Sequence, residues 1–219
     1  MIGEGCEMPR VLRVALISIA ILMLTGGSLS AGAGPDATAS GEVQNETAIF
    51  AGGLFWAMKP PFENLPGVIE VINGYSGGNK DNPTFQEVAT GGTGHVQAVK
   101  IIYNPAKVTY SELLDVFWRN IDPTDGGGQF SERGDQYRTV IFYLDEEQKT
   151  LAEGSKAEME KSGRFDKPIV TEIAAAATFY KAEESQQNYN KIPSRRYKFY
   201  IEKSITLRDQ YLEKVWGKK

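Results

Sequence analysis

Cysteine is almost missing from this chain. Of 219 residues one is cysteine, Cys6, and it lies ahead of an apolar stretch near the N-terminus. Beyond that stretch there is no thiol, which excludes a disulfide framework, a Cys-ligated metal and a cysteine nucleophile from the remainder. Histidine is as scarce: His95 stands alone, so a His-rich metal site is excluded too. Positive charge is not in excess, since 24 Lys and Arg against 28 Asp and Glu leave a net charge of −4. That balance carries no electrostatic footprint for nucleic acid. Long hydrophobic runs are missing as well. The longest, Val14 to Leu24, falls short of the ~20 apolar residues that cross a bilayer as a helix.

What is present at the N-terminus has an order. Arg10 and Arg13 precede the apolar run, and small residues including Ala31 and Ala33 follow it. This is the pattern of a secretory signal peptide, assigned here to residues 1–33, with no stable membrane anchor. The expected location is secreted or periplasmic. Residues 34–46 are polar and small and read as a disordered lead-in. Residues 47–219 then form one domain, long enough to bury a substantial core.

Within that domain strand and helix patterns interleave without the regularity of a doubly wound fold. Strands are expected over 47–52, 68–73, 95–103, 137–144 and 169–173, and helices over 54–65, from the Thr109–Glu112 capping box to Ile121, over 145–161 and over 205–216. Asn79 to Gly94 and Asp122 to Arg133 read as loops, and Gly74 to Gly78 as a turn. The class this predicts is α+β, a mixed central sheet with flanking helices in a single domain.

The most informative stretch is Ala48 to Gly67, AIFAGGLFWAMKPPFENLPG. A buried strand runs into Gly52-Gly53 and then into a helix, which puts Leu54 where free backbone N–H groups and the helix dipole favour an anion. Leucine cannot use that field, whereas a thiolate there would be strongly activated. The turn lacks the Lys and Ser/Thr of a phosphate loop. Of the adjacent Phe55 and Trp56, one is expected to line a surface cavity. The carboxylates between Asp122 and Asp135 do not have EF-hand spacing.

Taken together, several segments say more. AGG-x-FW, PPFENLPGV, GYSGG, NPTFQEVATGGTGHVQAVKIIYNP, ELLDVFWRNIDPT, RGDQYRTVIFY, KPIVTEI and RYKFY occur in this order over nearly all of residues 47–216. The chain thereby resembles the A-type peptide methionine sulfoxide reductases. The resemblance implies a thiolate attacking sulfoxide sulfur, a Glu and Tyr hydroxyls serving the oxygen, aromatic residues around the substrate methyl group, and thioredoxin or another thiol as reductant. It places the nucleophile position at Leu54, the acid position at Gln97 and assisting positions at Phe85, Glu132 and Tyr137. Substrate-binding positions fall on Phe55, Trp56, Tyr137 and Glu132. Lys59 stands where the family has Glu, Ile121 where it has His, and Ser185-Gln186-Gln187 where it has a YHQ-like run. No metal or cofactor is implied. The expected ligands are methionine or methionine sulfoxide side chains of proteins. The implied function is that of a peptide-methionine (S)-S-oxide reductase family member, impaired or inactive because Leu54, Gln97 and Phe85 replace Cys, Glu and Tyr. The alternative is a non-catalytic binding or protein-interaction domain that uses the residual aromatic pocket.

Overall fold

The computed structural model of the chain describes residues 44–189 and 195–217. The leader over 1–33 lies outside the described residues, as does the lead-in up to residue 43. Glu46, assigned to the lead-in, already opens the first strand.

In chain order the elements are β1 (Glu46–Gly52), α1 (Phe55–Glu63), β2 (Val68–Ser76), α2 (Phe85–Ala89), β3 (Val96–Tyr103) and α3 (Tyr110–Trp118). There follow β4 (Gly128–Gln129), β5 (Glu132–Arg133), β6 (Thr139–Tyr143), α4 (Glu146–Lys161), β7 (Glu172–Ala175), β8 (Tyr180–Lys181), α5 (Glu184–Gln187) and α6 (Arg195–Trp216). Six strands form one sheet in the order β7-β6-β1-β3-β2-β8. Only β6 and β7 pair in parallel; the other neighbours are antiparallel. The class is α+β with a mixed central sheet.

β1 reads as an unbroken apolar run because both faces of the sheet are buried at its centre. Ala48 and Phe50 point into the main core with Phe62 of α1, Leu113 and Phe117 of α3 and Ala152 of α4. Ile49 and Ala51 point the other way, to Ala98, Val140 and Phe142, a face covered by Ala174, Ala176 and Phe179. α3 opens as expected: Thr109 Oγ1 accepts from the Glu112 N–H, and the Glu112 carboxylate accepts from the Thr109 N–H at 2.7 Å. Its apolar face is fully interior. The helix ends at Trp118, and Ile121 joins the core from beyond it.

Several boundaries differ from the sequence reading, each for a local reason. β2 runs on through Gly74, Tyr75 and Ser76, so the expected turn begins only after them. Gly74 fits there because a Cβ would collide with the Phe179 ring and the Tyr180 carbonyl. The segment 79–94 is not all loop, because Thr84 and Glu87 make a second capping box that starts α2. Asp122 to Arg133 is tied down: the Gln129 side chain accepts from the Asp122 N–H and donates to its carbonyl, both at 2.8 Å. Arg133 grips Asp125 with both guanidinium ends, and β4 pairs with β5. Tyr137 belongs to a 3-10 turn, its N–H bonded to the Gly134 carbonyl, not to the strand. β7 starts at Glu172 rather than Ile169, since the parallel register sets Glu172 beside Val140. The helix expected over 205–216 is longer, since α6 begins ten residues ahead of Ile205.

Candidate functional site at the start of helix α1

The turn between β1 and α1 needs its second glycine. Gly53 takes φ +87°, and a Cβ there would approach Gln129 Cβ to 2.7 Å. Leu54 then sits in extended conformation at the N-cap, where its side chain makes no capping bond. Its carbonyl accepts from the N–H groups of Ala57 and Met58. The leucine side chain is 7% exposed. It packs with Ala57, and Trp56, Tyr137 and Ile205 lie against the pair.

The first helical N–H finds its acceptor elsewhere. Gln97 Oε1 takes the Phe55 N–H at 3.3 Å. Gln97 lies on β3 opposite Tyr75, on the same face as Val99, Ile101 and Tyr103, and so is turned toward α1. Its side chain is fully buried and its Nε2 has no hydrogen-bond partner among the described residues. Such a group costs free energy wherever water cannot reach it.

The aromatic residues divide as their adjacency demands. Phe55 is completely buried in the main core, with the rings of Tyr75 and Phe85 each 6.0 Å away. It therefore does not line an open pocket. Trp56 is half-buried and stacks on Phe85 at 5.4 Å and on Tyr189 at 4.1 Å, while its Nε1 donates to the Gln186 carbonyl. Phe85 opens α2 and donates its N–H to Glu183 Oε1 at 2.7 Å. Glu183 Oε2 accepts from the Tyr75 hydroxyl at 2.9 Å. Burial, then that bond and charge, push the Tyr75 phenol far above its ordinary range.

Tyr137 reaches the site from the 3-10 turn. Burial and the negative charge of Glu132 raise its hydroxyl above the usual tyrosine value. Glu132 accepts from Ser131 Oγ at 2.8 Å and from Ser204 Oγ of α6 at 2.7 Å. Lys59 turns elsewhere: its Nζ donates to the Gln187 carbonyl at 2.9 Å and pairs with Glu63 at 3.4 Å. A cleft of about 510 Å³ beside Lys59, Glu63, Ile69 and Asn188 lies toward the other end of α1 from Leu54. Asp122 is occupied by Tyr211 and Thr124, and Gln187 is bonded to Asn73 and Ala182. The His95 ring is used in full, accepting from the Gly78 N–H and donating to the Lys80 carbonyl. No group of three or more His, Cys, Asp or Glu among the described residues is placed to hold a metal ion.

Thus Leu54, Phe55, Trp56, Phe85, Gln97 and Tyr137 gather at the first turn of α1, with Glu132 behind Tyr137. The sequence reading missed Tyr75, Glu183, Tyr189, Ile205 and Arg208. Arg208 Nη1 donates to the Ala57 carbonyl at 2.6 Å. A signal for it was available: Pro61 has no N–H, so the carbonyl four residues earlier, that of Ala57, must look outside the helix.

The profile of the family described as "Peptide methionine sulfoxide reductase" matches residues 46–219. Peptide methionine sulfoxide reductase MsrA of Halalkalibacterium halodurans is 51% identical over 177 residues, which cover 81% of this chain and 99% of that one. MsrA of Listeria monocytogenes serotype 4b is 54% identical over 155 residues, 71% of this chain and 88% of the other. Among solved structures, reduced Mxr1 from Saccharomyces cerevisiae superposes with a TM-score of 0.63 at 30% identity, covering 70% of this chain and 88% of that one. Methionine sulfoxide reductase A of Corynebacterium diphtheriae gives 0.60 at 30% identity, with 70% and 77% covered. Profile, relatives and fold agree, so the chain belongs to the peptide methionine sulfoxide reductase family.

Proposed function

We propose that this protein is a non-catalytic member of the family, secreted or periplasmic, in which the fold persists and thiol-based reduction of methionine-S-sulfoxide does not occur. The observation that carries the reading is the residue at the head of α1. A leucine, 7% exposed, occupies the point where the helix dipole would stabilise a thiolate, and residues 46–219 contain no cysteine to replace it.

The neighbouring positions point the same way with less weight. Gln97 can donate a hydrogen bond but carries no exchangeable carboxylic proton, and Phe85 has no hydroxyl. Each such loss is worth about 10²- to 10³-fold in rate, by analogy with removal of one oxyanion donor. Deleting a nucleophile costs on the order of 10⁶-fold. Serine, tyrosine and lysine are poor attackers of sulfoxide sulfur and leave no intermediate that a thiol can recycle. The leader pattern in residues 1–33 supports export.

The test uses the unmodified protein with a methionine-S-sulfoxide substrate and dithiothreitol, beside a Leu54→Cys/Gln97→Glu/Phe85→Tyr variant. The unmodified chain is expected to show no turnover above the blank, and the triple variant to gain it. Multiple turnover by the unmodified chain would end the reading.

A further inference from the structure

The first turn of α1 already has an occupant from its own chain. Ile205 of α6 packs onto Leu54 and Ala57, next to Trp56 and Tyr137. Tyr189 stacks on Trp56 with ring centroids 4.1 Å apart and planes 18° from parallel. Polar bonds hold this covering at several points. Ser204 donates to Glu132, Arg208 to the carbonyl that Pro61 leaves free, and Tyr211 to Asp122 at 2.9 Å. The residues that face inward, Ser204, Ile205, Arg208, Tyr211 and Leu212, recur at helical spacing and form one stripe of α6. On the other side, Trp56 Nε1 and Lys59 Nζ are bonded to the carbonyls of Gln186 and Gln187.

We propose that α6 is a cis occupant of this seat: the aliphatic side chain of Ile205 fills the place of a ligand's apolar side chain, beside the Tyr189 ring stacked on Trp56. The inference rests on the reading that the head of α1 is the family's site, and it concerns access to that site, not its chemistry. Leu54 gives the occupant a hydrocarbon partner, so the pair packs where a thiolate would have to be desolvated. A methionine-like side chain reaches α1 only when α6 moves off. Binding then carries the cost of breaking the Ile205, Ser204 and Arg208 contacts, and apparent affinity falls by the fraction of chains in which the seat is open.

The test reads access at position 54 directly in the full chain. In a Cys6→Ser background, Leu54→Cys is labelled with a small maleimide at neutral pH, native and in urea. The native thiol is expected to react about 10²-fold more slowly than the unfolded one, as for a site that opens only by local unfolding. Adding Ile205→Ser is expected to speed native labelling about tenfold while the thermal transition stays cooperative. Native labelling as fast as in urea overturns the proposal, and so does a folded Ile205→Ser variant with no acceleration. If that variant does not fold, the single Leu54→Cys comparison decides. Slow labelling together with sulfoxide turnover by the unmodified chain would end the non-catalytic reading and leave the cis occupant standing. Fast labelling without turnover would do the converse.

Discussion

At position 54 the dipole of α1 meets a side chain that cannot answer it. The leucine stabilises through its contacts with Ala57, Tyr137 and Ile205 instead. Leu54→Ala is therefore expected to cost about 2–5 kcal/mol in urea unfolding, the usual range for a large-to-small change in a packed site. Leu54→Ser should cost about 1 kcal/mol less than the alanine variant, because its hydroxyl can cap N–H groups that leucine leaves uncapped. In an ordinary apolar site the order would be reversed. A second residue with a testable signature is Asp125, whose carboxyl lies below its ordinary range because Arg133 hydrogen-bonds the charged form. A depressed folded value means that its contribution is present above the unfolded pKa and is lost as pH falls through the folded one. Tm measured from neutral to acid pH should thus fall less steeply for Asp125→Asn than for the unmodified chain. The pair is partly exposed, so the difference is expected to stay within about 1 kcal/mol.

Among the elements, α1 and α6 depend on each other through a missing hydrogen atom. Pro61 cannot donate to the Ala57 carbonyl, and Arg208 does so from α6. Burial lowers the guanidinium's proton affinity, and its Nε has no hydrogen-bond partner among the described residues. Arg208→Met is expected to destabilise by about 1–3 kcal/mol, the cost of a buried carbonyl left unsatisfied. In a Pro61→Ala background α1 can supply its own bond, and the same change should cost clearly less. A double-mutant cycle by urea unfolding reads that coupling, and additivity of the two changes would show that Ala57 does not link the helices. α3 is self-sufficient by contrast. Thr109→Ala should cost about 1 kcal/mol through its cap alone.

For the whole molecule, what could be read in advance follows the range of the forces involved. β1 was legible as an apolar run buried on both faces, and β3 as a mostly apolar segment stopped by Asn104-Pro105. α3 and α4 were legible because Thr109 and Asp145 announce their starts. α2 was hidden, though Thr84 and Glu87 carry the same signature, because Asn82-Pro83 and Gly91-Gly92 frame it as loop. The two-residue β8 exists only through pairing with Gly74 and Tyr75, which no local pattern encodes. At the site, Leu54 at a helix head was legible from the strand, glycines and aromatics around it. The roles of Gln97, Phe85, Glu132 and Tyr137 came only through family likeness. Ile205 and Arg208 came from neither, since they meet α1 across most of the chain. With its C-terminal part anchored to α1, β2 and Asp122, the described domain is expected to unfold as one unit. Urea curves by Trp fluorescence and by far-UV circular dichroism should coincide. An earlier fluorescence transition would mean that α6 leaves first.

The bond between Arg208 and Ala57 spans 151 positions, and this orders events in time. While the chain is being made, the head of α1 emerges 151 positions ahead of its cover. At ~5–20 residues per second, that interval is on the order of ten seconds. Leu54 and Ala57 spend it without Ile205, so the start of α1 passes that part of synthesis with its apolar face uncovered.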